Sequence, residues 1–313
     1  MMKKEMKKGK NFIATIFAKR TFRRTFFLLA VGLAFCAGLL AVVLFPVSEE
    51  ESRETAATAP AISAAGAILI NGETGEVLFE SNADEKLYPA STTKIMTALV
   101  VLDVCRELGV GLDSHVIVPE EAEGVEGSSL YLEAGEEISL EELMYGLMLQ
   151  SGNDAAVALA ICVGGTQKIF IDKMNAKAKE LGCTDTHFTN PNGLFDEDHY
   201  TTARDLARIA REAMKNEAFR EIVKAEKWEG AADHIADRDE KTSGRAFVNK
   251  NKTVFQYEGG NGIKIGYTRA SGRTLVASAQ RGDVFLIAVV LRDSNWFQDA
   301  YGMMDYGFTL LTE

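Results

Sequence analysis

The amino-acid sequence predicts an α/β protein of the α+β kind, in which helices flank one antiparallel β-sheet. Two β-hairpins support this prediction, one near the start of the folded part and one near its end. The first pairs residues 67–70 with 76–80, and the second pairs 274–279 with 284–291. Residues 91–214, between them, carry helical patterns. Because the strands come from both ends, we expect a single sheet with an all-helical subdomain inserted between its halves.

The helical patterns are of two kinds. Residues 91–108 are apolar nearly all round, which is typical of a helix buried inside a domain. Ser139 and Glu142 form a capping box, which predicts a helix running to about residue 150. Three further helices are predicted, one ending at Cys162, one over 170–181 and one over 202–214. Residues 227–258 are polar and show no clear period.

Charge is distributed unevenly along the 313-residue chain. Residues 1–25 hold nine Lys or Arg and one acid, which indicates a cytoplasmic basic leader. The remaining residues hold 25 basic and 44 acidic side chains, a net charge of −19. Such a body repels nucleic acid and has no stripe of basic and aromatic residues, so no nucleic-acid partner is expected.

An uncharged stretch of 22 residues, 26–47, follows the leader and is long enough to cross a bilayer as one helix. The basic residues before it keep the N-terminus in the cytoplasm. A cleavable signal peptide is the alternative, but its apolar core is usually only about 7–15 residues long. We therefore expect an uncleaved transmembrane signal-anchor at 26–47, a flexible linker at 48–65 and an extracellular body at 66–313. The protein would then be single-pass in the cell membrane.

The segment Ser91-Thr-Thr-Lys94 places a hydroxyl and an amine on one face at the start of the buried helix. An amine at the mouth of an apolar helix loses solvation, which lowers its pKa and makes it a base toward serine. The ordinary alternative is an N-capping serine followed by a surface lysine.

Two further motifs follow along the chain. Ser151-Gly-Asn153 lies between apolar helices, where a simple linking turn is the alternative. Lys264-Ile265-Gly266 lies on an extended segment, where glycine lets a ligand approach the backbone and lysine can meet a carboxylate. A solvated lysine on an edge strand is the alternative there. In this order SxxK, SxN and K-x-G form the signature of serine acyltransferases, so their conjunction favours the functional interpretation.

From about residue 66 to residue 312 the chain resembles the bacterial D-alanyl-D-alanine carboxypeptidases, the low-molecular-mass penicillin-binding proteins. The similarity extends beyond the motifs to segments 88–98, 187–194, 199–207 and 262–279. It implies the fold of β-lactamases and penicillin-binding proteins, with a transpeptidase-like catalytic domain at 66–313. It also implies removal of the terminal D-alanine from peptidoglycan stem pentapeptides and covalent inhibition by β-lactam antibiotics. No metal and no cofactor is expected.

The resemblance also implies residue roles. Ser91 is expected to attack the carbonyl between two D-alanines, Lys94 to take its proton, and Ser151 to relay a proton to the leaving D-alanine. His187 and His199 are expected to be structural, as is Asp205 at a helix start.

Four residues are expected to bind the substrate. Asn153 would hold the substrate's amide and Lys264 would face its terminal carboxylate. Gly266 and Tyr267 continue the same strand, and the backbone N–H groups of Ser91 and Tyr267 would form the oxyanion hole.

The chain departs from the family pattern at two points. Ile265 stands where a threonine or serine is usual, which removes one hydrogen bond to the substrate carboxylate if the side chain faces the pocket. The family's later arginine has only Arg292 as a loose candidate. Two alternatives therefore stay open. One is a β-lactamase, although no glutamate base is apparent after the SxN helices. The other is a catalytically weakened wall-binding protein, favoured by Ile265.

Overall fold

The computed structural model describes residues 58–230 and 245–312, and its centre is a five-stranded antiparallel sheet. Its strands are β1 (Gly66–Asn71), β2 (Val77–Ser81), β7 (Gly260–Thr268), β8 (Gly272–Arg281) and β9 (Val284–Leu291). The strand order is β2-β1-β9-β8-β7. Because β1 pairs with β9, both ends of the body contribute to one sheet. The prediction of a single antiparallel sheet is confirmed, and β7 forms one of its edges.

The sheet is covered on both faces, which explains why its central strands are apolar at almost every position. Val276 and Val289 face a cluster made with the helical subdomain. Leu275 and Val290, one residue along each strand, face a second cluster on the opposite side. Alternate side chains of a strand point to opposite faces, so two-sided burial requires apolar residues at successive positions.

The predicted helices are present, with small differences at their ends. They correspond to α1 (Lys94–Leu108), α2 (Leu140–Tyr145), α3 (Asn153–Gly164), α4 (Gln167–Glu180) and α5 (Ala203–Ala213). Three more helices had not been predicted, α6 (Glu217–Lys224), α7 (Thr253–Gln256) and α8 (Trp296–Thr312). The second predicted helix changes at Gly146 into a π-helical turn, Gly146–Gln150. The first begins as a 3₁₀ turn, Ala90–Thr93. Helix α1 is buried on nearly all sides, as its apolar sequence predicts.

Helix α8 covers the second face of the sheet and was not predicted. Phe297, Met303, Met304 and Phe308 pack from it against the apolar side chains of β1, β8 and β9. Its sequence contains two glycines, which weaken the local helical signal. Packing against the sheet stabilises the helix where propensity alone does not.

Two small two-stranded sheets lie between β2 and β7, so the subdomain is not all-helical as predicted; they escaped prediction because each strand has only three residues. They pair β3 (His115–Ile117) with β4 (Glu137–Ser139), and β5 (Lys227–Glu229) with β6 (Ala246–Val248). Three residues are too few to show an alternating pattern.

The end of the predicted linker is attached to the body. The Ser63 hydroxyl donates to Asp293 at 2.6 Å, and its backbone N–H donates to Asp299 at 2.5 Å. The Ala65 N–H donates to the Leu291 carbonyl at 3.1 Å. Residues 63 and 65 are therefore hydrogen-bonded to the folded body.

The predicted leader (1–25) and signal-anchor (26–47) lie outside the described residues. Within residues 58–230 and 245–312, no single helix has the length and apolar character needed to cross a membrane. Helices α3 and α4, bent by 89° at their junction, meet that test only as a pair.

Two glycines of α8 should respond in opposite ways to alanine. A Cβ at Gly302 meets only Pro60 at 3.8 Å, so Gly302→Ala should raise the free energy of unfolding by about 0.5–1 kcal/mol. A Cβ at Gly307 lies 2.7 Å from Leu69 and 3.0 Å from Leu286, both fully buried, so Gly307→Ala should lower it by about 1–3 kcal/mol. Urea unfolding of the two variants measures the difference, and equal shifts would contradict the packing of this helix on the sheet.

Candidate active site

The segment that carries Ser91 is held in a sharp turn before α1. Ala90 has a φ of +50°, an uncommon conformation for a residue with a side chain. The Thr92 hydroxyl donates to the Pro89 carbonyl at 2.7 Å, and the Thr274 hydroxyl of β8 donates to the same carbonyl at 3.0 Å. A Cβ at Gly193 would lie 1.9 Å from the Ala90 carbonyl oxygen, so only glycine fits there. The turn is therefore fixed from both the sheet and the 189–195 loop.

Lys94 is fully buried and lies within hydrogen-bonding distance of three oxygens. Its Nζ is 3.0 Å from Ser91 Oγ, 2.7 Å from Asn153 Oδ1 and 2.5 Å from the Asn192 carbonyl oxygen. The amide and carbonyl oxygens only accept hydrogen bonds, so they occupy two N–H groups of the amine. A neutral amine then directs its lone pair at the Ser91 hydroxyl, which is the arrangement that a general base requires.

Electrostatics favour that neutral form. Burial lowers the pKa of Lys94 well below its ordinary value, and the positive charges of Lys264 and Lys250 lower it further. Asp154 acts in the opposite direction. Its carboxylate also binds the Ser129 hydroxyl at 2.6 Å and the Leu130 N–H at 2.8 Å. Desolvation outweighs this opposing charge, as expected for a buried amine.

The second motif lies at the junction of the π-helical turn and α3. Ser151 is buried and has a φ of +65°. Asn153 begins α3, and its Nδ2 donates to the Glu126 carbonyl at 2.7 Å while its Oδ1 accepts from Lys94. The Asn153 amide therefore positions Lys94, a contact that adds to the substrate contact expected from the sequence.

The third motif lies on the edge strand β7. Lys264 is buried, and its Nζ donates to the Ile265 carbonyl at 3.1 Å. Burial lowers the pKa of Lys264 to about 7, and the charge of Lys250 contributes. A Cβ at Gly266 would lie 2.8 Å from the Ser91 backbone nitrogen and 2.5 Å from Thr274 Oγ1. Glycine at this position brings the strand against the nucleophile turn, whereas the sequence suggested that it leaves room for a ligand.

Ile265 packs away from the site. Its side chain contacts the cluster formed with α8, on the face opposite to the one that contains Thr274 and the Ser91 turn. The sequence predicted that a hydrogen bond to the substrate carboxylate is lost if Ile265 faces the pocket. That condition is not met, because side chains alternate along the strand and Ile265 points to the other face.

The remaining predicted residues have distinct places. Tyr267 follows Gly266 in β7 and its side chain is exposed, so only its backbone adjoins the site. His199 bonds Thr93 Oγ1 at 2.8 Å, and burial lowers its pKa to about 4, which keeps it neutral and structural. Asp205 accepts a hydrogen bond from the Asp185 N–H at 3.0 Å near the start of α5.

Arg292 is exposed and lines a cavity of about 300 Å³ with Lys86, Leu87, Tyr88 and Tyr200, among others.

The sequence analysis missed three residues that contribute to the site. Asn192 acts through its backbone carbonyl, which no side-chain motif reveals. Thr274 acts by bonding Pro89 across the sheet. Lys250 follows β6 in the polar region that gave no periodic signal. The NPNG stretch at 190–193 was the available signal for Asn192, since such a turn exposes backbone carbonyls.

Comparison with known proteins identifies the family of the chain. A family model described as D-alanyl-D-alanine carboxypeptidase matches residues 53–295. The chain belongs to this family. The resemblance stated from the sequence is thereby confirmed, and the chain is a member of a group of serine peptidases.

Named members of the D-alanyl-D-alanine carboxypeptidase family align over most of the chain. DacF of Bacillus subtilis is 39% identical over 72% of this chain, which spans 57% of that relative's length. The D-alanyl-D-alanine carboxypeptidase of Streptomyces sp. K15 is 36% identical, and the alignment covers 82% of this chain and 91% of that enzyme. Among solved structures, the D-alanyl-D-alanine carboxypeptidase DacD from Francisella tularensis has a TM-score of 0.73 at 29% identity. The superposition covers 80% of this chain and 71% of the DacD chain.

Gly266→Val should uncouple the β7 strand from the nucleophile. The added side chain collides with the Ser91 backbone, so the strand must move, and a displacement of about 1 Å at a reacting centre costs about 100-fold in rate. The rate of acylation by a fluorescent penicillin measures this effect. Gly302→Ala serves as the control and should acylate like the wild type. A Gly266→Val protein that is folded and acylates normally would contradict the described contact.

The acylation rate should also depend on pH through the site lysines. Lys264 must keep its proton to attract a carboxylate, and its pKa is about 7, so acylation by benzylpenicillin should fall as pH rises through about 7. Lys264→Arg should lose this alkaline decline, because a guanidinium keeps its proton at all accessible pH values. An identical decline in both proteins would exclude Lys264 as its source.

Proposed function

We propose that the protein is a serine-type D-alanyl-D-alanine carboxypeptidase that removes the terminal D-alanine of peptidoglycan stem pentapeptides. The observation that carries this proposal is the fully buried Lys94 amine, 3.0 Å from the Ser91 hydroxyl. A serine is a weak nucleophile unless a base adjoins it, and a lysine acts as that base only when it is neutral. Membership of the family supports the same reaction.

In this proposal the reaction has two steps. Ser91 transfers its proton to Lys94 and attacks the carbonyl between the two D-alanines. Ser151 relays a proton to the leaving D-alanine, and the backbone N–H groups of Ser91 and Tyr267 stabilise the oxyanion. Water then attacks the acyl-serine and releases the shortened peptide. Asn153 aligns Lys94 and the substrate amide, and Lys264 attracts the terminal carboxylate.

The two alternatives gain no support. The weakened binding protein depended on Ile265 facing the pocket, and that side chain packs on the other face of the sheet. A β-lactamase requires an efficient base for deacylation, and the relatives found are D-alanyl-D-alanine carboxypeptidases. The long-lived acyl-enzyme of a carboxypeptidase distinguishes it from the fast turnover of a lactamase.

We also propose that the body works outside the cell, attached through residues 26–47. The uncharged length of that segment and the basic residues before it support this orientation. Protease added to intact cells should digest the body, and protection of the body until the cells are lysed would contradict the orientation.

Labelling with a fluorescent penicillin tests the proposed nucleophile. The wild-type protein should show a covalent band and release D-alanine from a stem pentapeptide, and Ser91→Ala should do neither. Ser81→Ala is the matched control, because Ser81 lies on β2, at the opposite edge of the sheet from β7.

Each readout can contradict the proposal separately. A labelled band in Ser91→Ala would place the nucleophile elsewhere. A labelled wild-type protein that releases no D-alanine would leave a penicillin-binding protein without carboxypeptidase activity.

A further inference from the structure

Lys250 borders the active site from a segment that the catalytic motifs do not include. Its backbone N–H donates to the Leu149 carbonyl at 3.2 Å, and its Nζ donates to the Gln150 carbonyl at 2.8 Å. Gln150 directly precedes Ser151. The Lys250 ammonium therefore lies beside the second catalytic motif, while its side chain remains open to solvent.

The Lys250 segment is also fixed against the strand that carries Lys264. The Asn249 side chain donates to the carbonyls of Val223 at 3.1 Å and Ala225 at 2.9 Å. A Cβ at Gly262, two residues before Lys264, would lie 3.0 Å from the same Val223 oxygen. The Val223 carbonyl thus accepts a hydrogen bond from the Lys250 segment and lies close to the backbone of the Lys264 strand, so the two segments are neighbours.

Within the part of the chain that the structure describes, neither lysine forms an ion pair with an acidic side chain. Among the ion pairs of residues 58–230 and 245–312, none involves Lys94, Lys250 or Lys264. Burial lowers the pKa of Lys264, and among the described residues the charge of Lys250 lowers it further. Two neighbouring cations repel each other, and here they do so in a body whose net charge is −19 without its leader. An anion placed between them relieves that repulsion.

We propose that Lys250 and Lys264 together bind the terminal carboxylate of the substrate, with Lys250 as a second specificity-determining cation. This rests on the proposed function. A carboxylate has two oxygens, and two ammonium groups on rigid segments can each donate to one of them. The pair also supplies a second cation, because Arg292, the loose candidate for the family's later arginine, lines a cavity with other residues.

A purely structural role for Lys250 is the competing explanation, since its Nζ bonds the Gln150 carbonyl next to Ser151. That role and the proposed one differ in substrate dependence. Loss of a positioning contact slows every substrate alike, whereas loss of a carboxylate contact slows only substrates that carry the carboxylate.

The experiment compares Lys250→Gln with Lys252→Gln on two peptides. Both variants lose one positive charge, but the Lys252 ammonium lies 6.0 Å from the centre of the Phe297 ring, toward α8. The peptides end in D-Ala-D-Ala with either a free carboxylate or a carboxamide. Lys250→Gln should lower kcat/KM about tenfold for the carboxylate peptide and less than about twofold for the carboxamide. Lys252→Gln should leave both unchanged, and Lys250→Arg should restore most of the loss.

Acylation by benzylpenicillin and by its methyl ester gives the same comparison without D-alanine release. If the wild type releases no D-alanine but Lys250→Gln slows acylation by the acid and not by the ester, the carboxypeptidase proposal fails and the role of Lys250 stands. An equal loss on charged and uncharged ligands, or no loss on either, overturns the role of Lys250 whatever the peptide result.

Discussion

The removal of the Lys94 amine from water is the constraint on which the site depends. A buried ammonium is costly, so the amine is stable only as a neutral group with its hydrogen-bonding capacity filled. The Asn153 side-chain oxygen and the Asn192 carbonyl oxygen accept from the two N–H groups of the neutral amine. Its lone pair then remains to accept from the Ser91 hydroxyl. Each of these oxygens comes from a different segment of the chain. Ser91 lies three residues before Lys94, so the fold has to bring two distant segments, those of Asn153 and Asn192, to one nitrogen before any chemistry is possible.

The sheet and the helical subdomain achieve this by meeting along β7. Gly266 lies so close to the Ser91 nitrogen that a side chain would separate the two layers, and Thr274 bonds Pro89 from the adjacent strand. On the helical side, the Thr97 hydroxyl of α1 donates to the Pro191 carbonyl at 2.6 Å and fixes the loop that presents Asn192. The nucleophile turn is thus held between a strand and a loop.

Much of this arrangement was predictable from local patterns. Ser91 and Lys94 share a face because they are three residues apart on a helix, and the hairpins at both ends of the body predicted the mixed origin of the sheet. Other features depend on tertiary contacts that leave no local trace. The carbonyl of Asn192 carries no residue-specific signal, helix α8 depends on the sheet it covers, and the orientation of Ile265 follows from strand register. Lys250 was hidden because β6 is only three residues long.

The attachment of Ser63 and Ala65 has a mechanical consequence. A pull on the chain ahead of the body reaches first the hydrogen bonds to Asp293, Asp299 and Leu291. These lie at the end of β9 and the start of α8, whereas the nucleophile turn rests on β7 and β8. A force applied there is therefore carried by the central strand of the sheet, two strands away from the edge strand β7.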